Sequence, residues 1–317
     1  MGYRIDRLQD NDLELVRLTD EHTGTEALIL PEFGSLLHGF SIPLNGKSVN
    51  VIDHYGSRQE ASSGIDKTFK SARLSPFVCR IARGQYRFQG KAFDLKHRFS
   101  DGSAIHGLLY DKAFTIKEEQ ETQEMATVAA EFTYRRMDPG YPFVYACEIR
   151  YTLMPGSILR IVSTITNQDE MVIPISDGWH PYFTLGGQVD DWIMHFDSTS
   201  MVAFDEELIP TGSLIPSDHF TEPRRIGSLF LDNCFVLNFS SGLPACELFN
   251  PENKLKLAFF PERSYPYLQV YTPDHRSSIA IENLSSAPDS FNNQMGLILL
   301  GPGDSQRFAV QYQLSVV

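Results

Sequence analysis

Glu148-Ile149-Arg150-Tyr151-Thr152-Leu153 runs into Pro155-Gly156 and returns as Leu159-Arg160-Ile161-Val162-Ser163-Thr164-Ile165. Ile149, Tyr151 and Leu153 alternate with Glu148, Arg150 and Thr152. That period of two puts the apolar set on one face of an extended chain. Pro-Gly at the reversal suits a type II turn, because glycine takes the positive φ at its third position. The stretch is therefore an antiparallel hairpin. The same alternation recurs at the end of the chain, where Phe308, Val310, Tyr312, Leu314 and Val316 are separated by Ala309, Gln311, Gln313 and Ser315. Further strands are predicted over residues 13–18, 25–30, 127–134, 255–260, 267–271 and 278–282. Helical signals are scarce: one turn near 288–292, and a short helix or ordered loop within 54–72. No spacing of strand and helix makes βαβ units, and there is no repeat, linker or charge block. The pattern predicts an all-β chain of two stacked antiparallel sheets with few short helices, organised as one domain over 1–317.

A chain of 317 residues is long enough to bury a sizeable core without staples. Its formal charge of −13 argues against a nucleic-acid or acidic-membrane surface, which needs clustered Lys and Arg. Cys79, Cys147, Cys234 and Cys246 have no close-pair spacing for zinc or redox chemistry and read as reduced thiols. The first residues lack the apolar core of a signal peptide, and no stretch approaches the roughly 18 apolar residues of a membrane span. A cytoplasmic protein with no nucleic-acid or membrane partner is expected.

Candidate chemistry gathers at three places. His180 sits in Gly178-Trp179-His180-Pro181-Tyr182-Phe183, and His106 precedes Gly107, which lets another group approach the backbone. Glu282 ends the apolar run Ser278-Ile279-Ala280-Ile281. A carboxyl placed so is desolvated and its pKa rises, and a histidine beside it can exchange a proton near neutrality. The bland alternatives are a satisfied core histidine and a strand-end charge reaching solvent. Arg80, among apolar residues, either grips a ligand oxygen or makes a structural ion pair. Asp232, in Leu231-Asp232-Asn233, is a ligand or a turn residue. A two-histidine, one-carboxylate metal site has no supporting His-x-His or His-x-x-x-His spacing. No Gly-x-Ser-x-Gly elbow is present for a serine nucleophile. The set points to proton transfer on a small molecule, with no metal or cofactor.

Taken in order, these segments resemble the aldose 1-epimerase (mutarotase) family. The resemblance runs from Leu28-Ile29-Leu30-Pro31-Glu32-Phe33-Gly34 through Arg80-Ile81-Ala82-Arg83-Gly84, Ile105-His106-Gly107 and Pro139-Gly140-Tyr141-Pro142-Phe143. It continues with Gly178 to Phe183, Leu231-Asp232-Asn233-Cys234-Phe235, Leu268-Gln269-Val270-Tyr271-Thr272-Pro273 and Ile281-Glu282. It implies the family's large antiparallel β-sandwich, the galactose mutarotase-like supersandwich. It also implies a monosaccharide substrate whose α and β anomers are interconverted, with Glu282 as catalytic base, His180 as catalytic acid and His106 as the second active-site histidine. Arg80 and Asp232 would bind the sugar, Trp179 and Tyr182 would offer it an apolar face, and the protein would be a monomer or homodimer. Two departures stand out. Members acting on free galactose commonly carry Asn before the arginine, where this chain has Cys79, and Asn-His-Ser-Tyr-Phe-Asn around the acid. Lys67, Lys70, Arg73, Arg80 and Arg83 raise the alternative of a hexose-6-phosphate 1-epimerase. A non-catalytic sugar-binding protein on the same fold is the rival class, and a sugar hydrolase or lyase a third.

Overall fold

The computed structural model describes residues 2–240 and 242–317. The opening hairpin forms as read, Val144–Met154 pairing with Ile158–Asn167 so that Met154 faces Ile158. Gly156 takes φ 80°, and Ser157 is also left-handed at φ 54°, so three residues make the turn. This hairpin is the middle of a nine-stranded sheet. On one side lie Ala126–Arg135 and Thr115–Glu121. On the other the last strand, Ser305–Val316, pairs with Ile158–Asn167 and leads on to Leu255–Pro261, Cys246–Phe249, Ile193–Phe196 and Arg224–Arg225.

An eight-stranded sheet packs against it, ordered Pro210–Pro216, Ser200–Phe204, Asp232–Val236, Tyr267–Tyr271, Ile279–Leu284, Gly178–His180 and Ala72–Leu74. Tyr182–Phe183 pairs beside Ile279–Leu284. Aromatic rings join the two sheets. Phe183 lies 5.0 Å from Phe259 and 5.5 Å from Tyr312, and Tyr151 lies 6.0 Å from Trp179. Each such pair adds about 0.5–1.5 kcal/mol beyond its buried area. The sandwich core thus consists of the inward residues of both sheets. The first five strands, from Tyr3–Asp10 to Lys47–Asn50, form a separate meander. It is tied to the hairpin by the Tyr151 hydroxyl, which donates to Ser35 O at 2.6 Å.

Inside this core Arg73 is fully buried and ion-paired with Asp177. Ser163 and Tyr265 also contact the pair, Tyr265 donating to Asp177 at 2.6 Å, and the guanidinium stacks 4.7 Å from the Trp179 ring. The helix within 54–72 is Arg58–Thr68. Ser57 caps it by accepting from Glu60 N, while Glu60 accepts from Gly56 N. Phe69 ends it in the left-handed region at φ 51°. The turn near 288–292 is the short helix Ser290–Asn293. No helix among the described residues is long and apolar enough to cross a membrane.

Candidate active site

Alternation decides what the eight-stranded sheet turns outward. In Ile279–Leu284, Ile279 and Ile281 join the sandwich core and Asn283 accepts from Tyr312 of the other sheet. Ala280, Glu282 and Leu284 therefore face away. Antiparallel register places Cys234 opposite Gln269 and Gln269 opposite Glu282, one row across three strands. The next row is Asp232, Tyr271, Ala280 and Tyr182. Strand Gly178–His180 adds His180 on the same face.

Loops close over these rows. Arg80 pairs with Ile105, and His106 N donates to Cys79 O at 2.8 Å, so Arg80 and His106 arrive together. The helix end contributes Lys67, Thr68 and Phe69. The result is a cleft of about 230 Å³ with Glu282, His180, His106, Arg80, Asp232, Gln269, Tyr182 and Tyr271 in its wall. That is below the roughly 300–1,000 Å³ of sites for drug-sized ligands and suits a small molecule.

His180 Nε2 lies 3.4 Å from Glu282 Oε1. The His180 ring stacks on Tyr182 at 4.9 Å and meets His106 edge-on at 4.8 Å. Behind His106 stands Phe69, 4.5 Å away. Gln269 Nε2 donates to Asp232 Oδ1 at 2.7 Å, leaving Gln269 Oε1 buried without a partner. Arg80 Nε reaches Asp101 at 3.4 Å, a long contact that leaves guanidinium donors for the cleft.

Burial sets the charges. It pushes the Glu282 carboxyl well above the usual carboxylate range, with nearby Asp232 adding to the rise and Arg80 opposing it. It lowers His180 to about 4. His106 also falls well below its ordinary value, through burial and then the neighbouring His180 and Arg80. Burial raises Asp232 too, against Arg80 and the Gln269 hydrogen bond. Burial thus disfavours a charge on either member of the Glu282–His180 pair.

Six of the seven sequence candidates meet here: Glu282, His180, His106, Arg80, Asp232 and Tyr182. Trp179 does not. Its strand turns it into the sandwich core, 2% exposed between Arg73 and Tyr151, because neighbours on a strand face opposite ways. Glu282 is also not at a strand end: the strand continues to Leu284, and the carboxyl is buried rather than reaching solvent. Of the five cations weighed for a phosphate, Lys67 and Arg80 line the cleft. Arg73 is sealed in the core, Lys70 pairs with Asp53 at 2.7 Å, and Arg83 lies outside the cleft wall.

Gln269, Tyr271, Phe69 and Cys79 escaped the residue-by-residue reading. Gln269 carried a signal, being the one amide within the otherwise apolar and aromatic strand Tyr267–Tyr271. Among metal-ligand types, one donor atom each from Cys79, His106 and Glu282 lie within 4.8 Å of one another, all buried. This trio includes a thiol in place of the second histidine considered from sequence.

The aldose 1-epimerase family model matches residues 15–313. The Escherichia coli protein YihR, itself uncharacterised, is 29% identical over 242 residues, covering 74% of this chain and 75% of its own length. Among solved structures, a galactose mutarotase-like protein from Clostridium acetobutylicum superposes with TM-score 0.88 at 16% identity, covering 100% of this chain and 99% of that one. A galactose 1-epimerase from Lactobacillus acidophilus gives 0.81 at 20% identity, with 99% of each chain covered. At such identities the structures speak for the shared β-sandwich alone. The family match spans nearly all of the sequence, and the chain belongs to the aldose 1-epimerase family.

Proposed function

We propose that the protein is a mutarotase, interconverting the α and β anomers of a monosaccharide through Glu282 and His180. The observation that carries this reading is a carboxyl and an imidazole 3.4 Å apart on the wall of one cleft, flanked by sugar-competent donors and acceptors. A cyclic aldose is a hemiacetal. Opening it removes a proton from the C1 hydroxyl, forms the C1 carbonyl, breaks C1–O5 and protonates O5. Rotation about C1–C2 and the reverse proton transfers close the ring on the other face.

The resting pair carries a single transferable proton. Sugar hydroxyls donating to the carboxyl group, with Arg80 nearby, favour its ionised form and move that proton to His180. Glu282 then takes the proton from O1 and His180 gives its own to O5, the roles exchanging on closure. His106 hydrogen-bonds near the reacting oxygens. Arg80, Asp232 and Gln269 hold the remaining hydroxyls in place relative to the pair.

The experiment is anomer exchange, followed by polarimetry or by NMR exchange, across free and 6-phosphorylated hexoses and pentoses. Glu282→Gln is expected to slow exchange by about 10²- to 10⁴-fold, the usual worth of a positioned acid or base, while sugar still binds. Full activity in that variant would refute the assignment. Saturable binding without exchange by the unaltered chain would instead establish a sugar-binding protein. Lys67, an exposed cation on the cleft wall, is the observation favouring the phosphorylated arm. Preference for a 6-phosphate that Lys67→Ala abolishes would select it.

A further inference from the structure

We propose that Cys79, His106 and Glu282, with His180 as a fourth donor, form an inhibitory site for a thiophilic divalent cation of the zinc class. Thiolate sulfur, imidazole nitrogen and carboxylate oxygen are the donors zinc takes, in four-coordinate tetrahedral sites. At bond lengths of about 2.0–2.3 Å, the edges of such a tetrahedron measure roughly 3.3–3.8 Å. Here Cys79 Sγ lies 4.0 Å from Glu282 Oε2, His180 Nε2 lies 3.4 Å from Oε1, and the trio fits within 4.8 Å. Contraction by about 1 Å, within reach of side-chain torsions, closes the Cys79, His106 and Glu282 trio.

The backbone under these donors is fixed. Cys79 and His106 both hold left-handed conformations, at φ 47° and 59°, and are joined by the His106 N to Cys79 O hydrogen bond. Gly107 then packs its Cα against the Ser75 backbone, where no larger residue fits. The donors are also under-used. His106 is 7% exposed and its Nδ1 has no hydrogen-bond partner, and the Cys79 thiol has only the long contact to Glu282. Binding converts the Cys79 thiol to thiolate and the Glu282 carboxyl to carboxylate, releasing both protons to solvent. The cation's two positive charges then meet one thiolate and one carboxylate, leaving the buried site neutral. Sulfur selects zinc or cadmium over magnesium or calcium. Occupation removes both members of the proton-transfer pair, so inhibition rests on the reaction proposed above; binding does not.

The test uses the full chain, freed of metal with a chelator and titrated with Co²⁺ and then Zn²⁺. One cobalt per chain is expected, with thiolate-to-cobalt charge transfer in the near ultraviolet and tetrahedral bands in the visible. Cys79→Ser should erase the charge transfer and weaken zinc at least 100-fold by calorimetry, and His106→Gln should weaken it 10- to 100-fold. Cys246→Ser, in the other sheet, should change neither. Circular dichroism and the metal-free melting temperature establish that each variant is folded. No charge transfer, or charge transfer that survives Cys79→Ser, overturns the site. Zinc binding that leaves anomer exchange untouched overturns the inhibition. A chain that binds zinc through Cys79 but never exchanges anomers keeps the site and defeats the mutarotase reading.

Discussion

Gly107 has no room for a methyl group. A Cβ there would sit 2.3 Å from Ser75 O and 2.5 Å from Ser75 N, and φ is 79°. Gly107→Ala is expected to cost more than about 2 kcal/mol, seen as a lowered melting temperature, since backbone strain and a backbone clash combine. The neighbouring position explains why the residue matters, as this close approach fixes His106. Gln269 acts more gently. Gln269→Leu removes one hydrogen bond to Asp232 and one free acceptor, so KM for the sugar should rise about tenfold with kcat little changed. Equal loss in both constants would place Gln269 in the chemistry instead. At this scale the sequence was legible where a residue was chemically out of place: Glu282 after three apolar neighbours, or a glycine after a histidine. It misled where direction mattered. Trp179 adjoins His180 in sequence and faces the opposite side of the sheet.

Strand Ile279–Leu284 separates stability from chemistry on its two faces. Ile281→Ala, in the sandwich core, should lose about 2–5 kcal/mol of stability while the folded fraction keeps its turnover. Glu282→Gln, one residue along, should lose turnover and keep its melting temperature. If both variants behaved alike, the division of faces would be wrong. The strand itself and its neighbours followed from alternation, as did the Pro155-Gly156 reversal. Their lateral order did not. Asp232–Val236 sits beside Tyr267–Tyr271, and Gly178–His180 beside Ile279–Leu284, because pairings over long separations are chosen by complementary faces. Gln269 enters the cleft only through that register, opposite Glu282.

For the molecule as a whole, the buried charges set two expectations. His38, 2% exposed, is pushed down to about 4 by burial and by the His54 ring 4.6 Å away. Between pH 6.5 and 4 the unfolded chain takes a proton there that the folded chain refuses, so this contribution is lost as pH falls. His38→Gln should therefore gain on the parent protein by about 3 kcal/mol at pH 4, and not at pH 7.5, in paired denaturant titrations. A constant difference across pH would reject the cause. Arg73 is the second. Arg73→Met leaves Asp177 alone in the core and should cost about 3–5 kcal/mol, much of it recovered by adding Asp177→Asn. Arg73 also lies directly across from Trp179 in the pairing of Ala72–Leu74 with Gly178–His180. Sliding Ala72–Leu74 by one position would expel the guanidinium from the interior, and sliding Gly178–His180 by one would swing His180 inward. The hidden cation thereby works as an alignment key for the imidazole on the far side of the sheet, so its loss should blur the position of His180 before the sandwich melts.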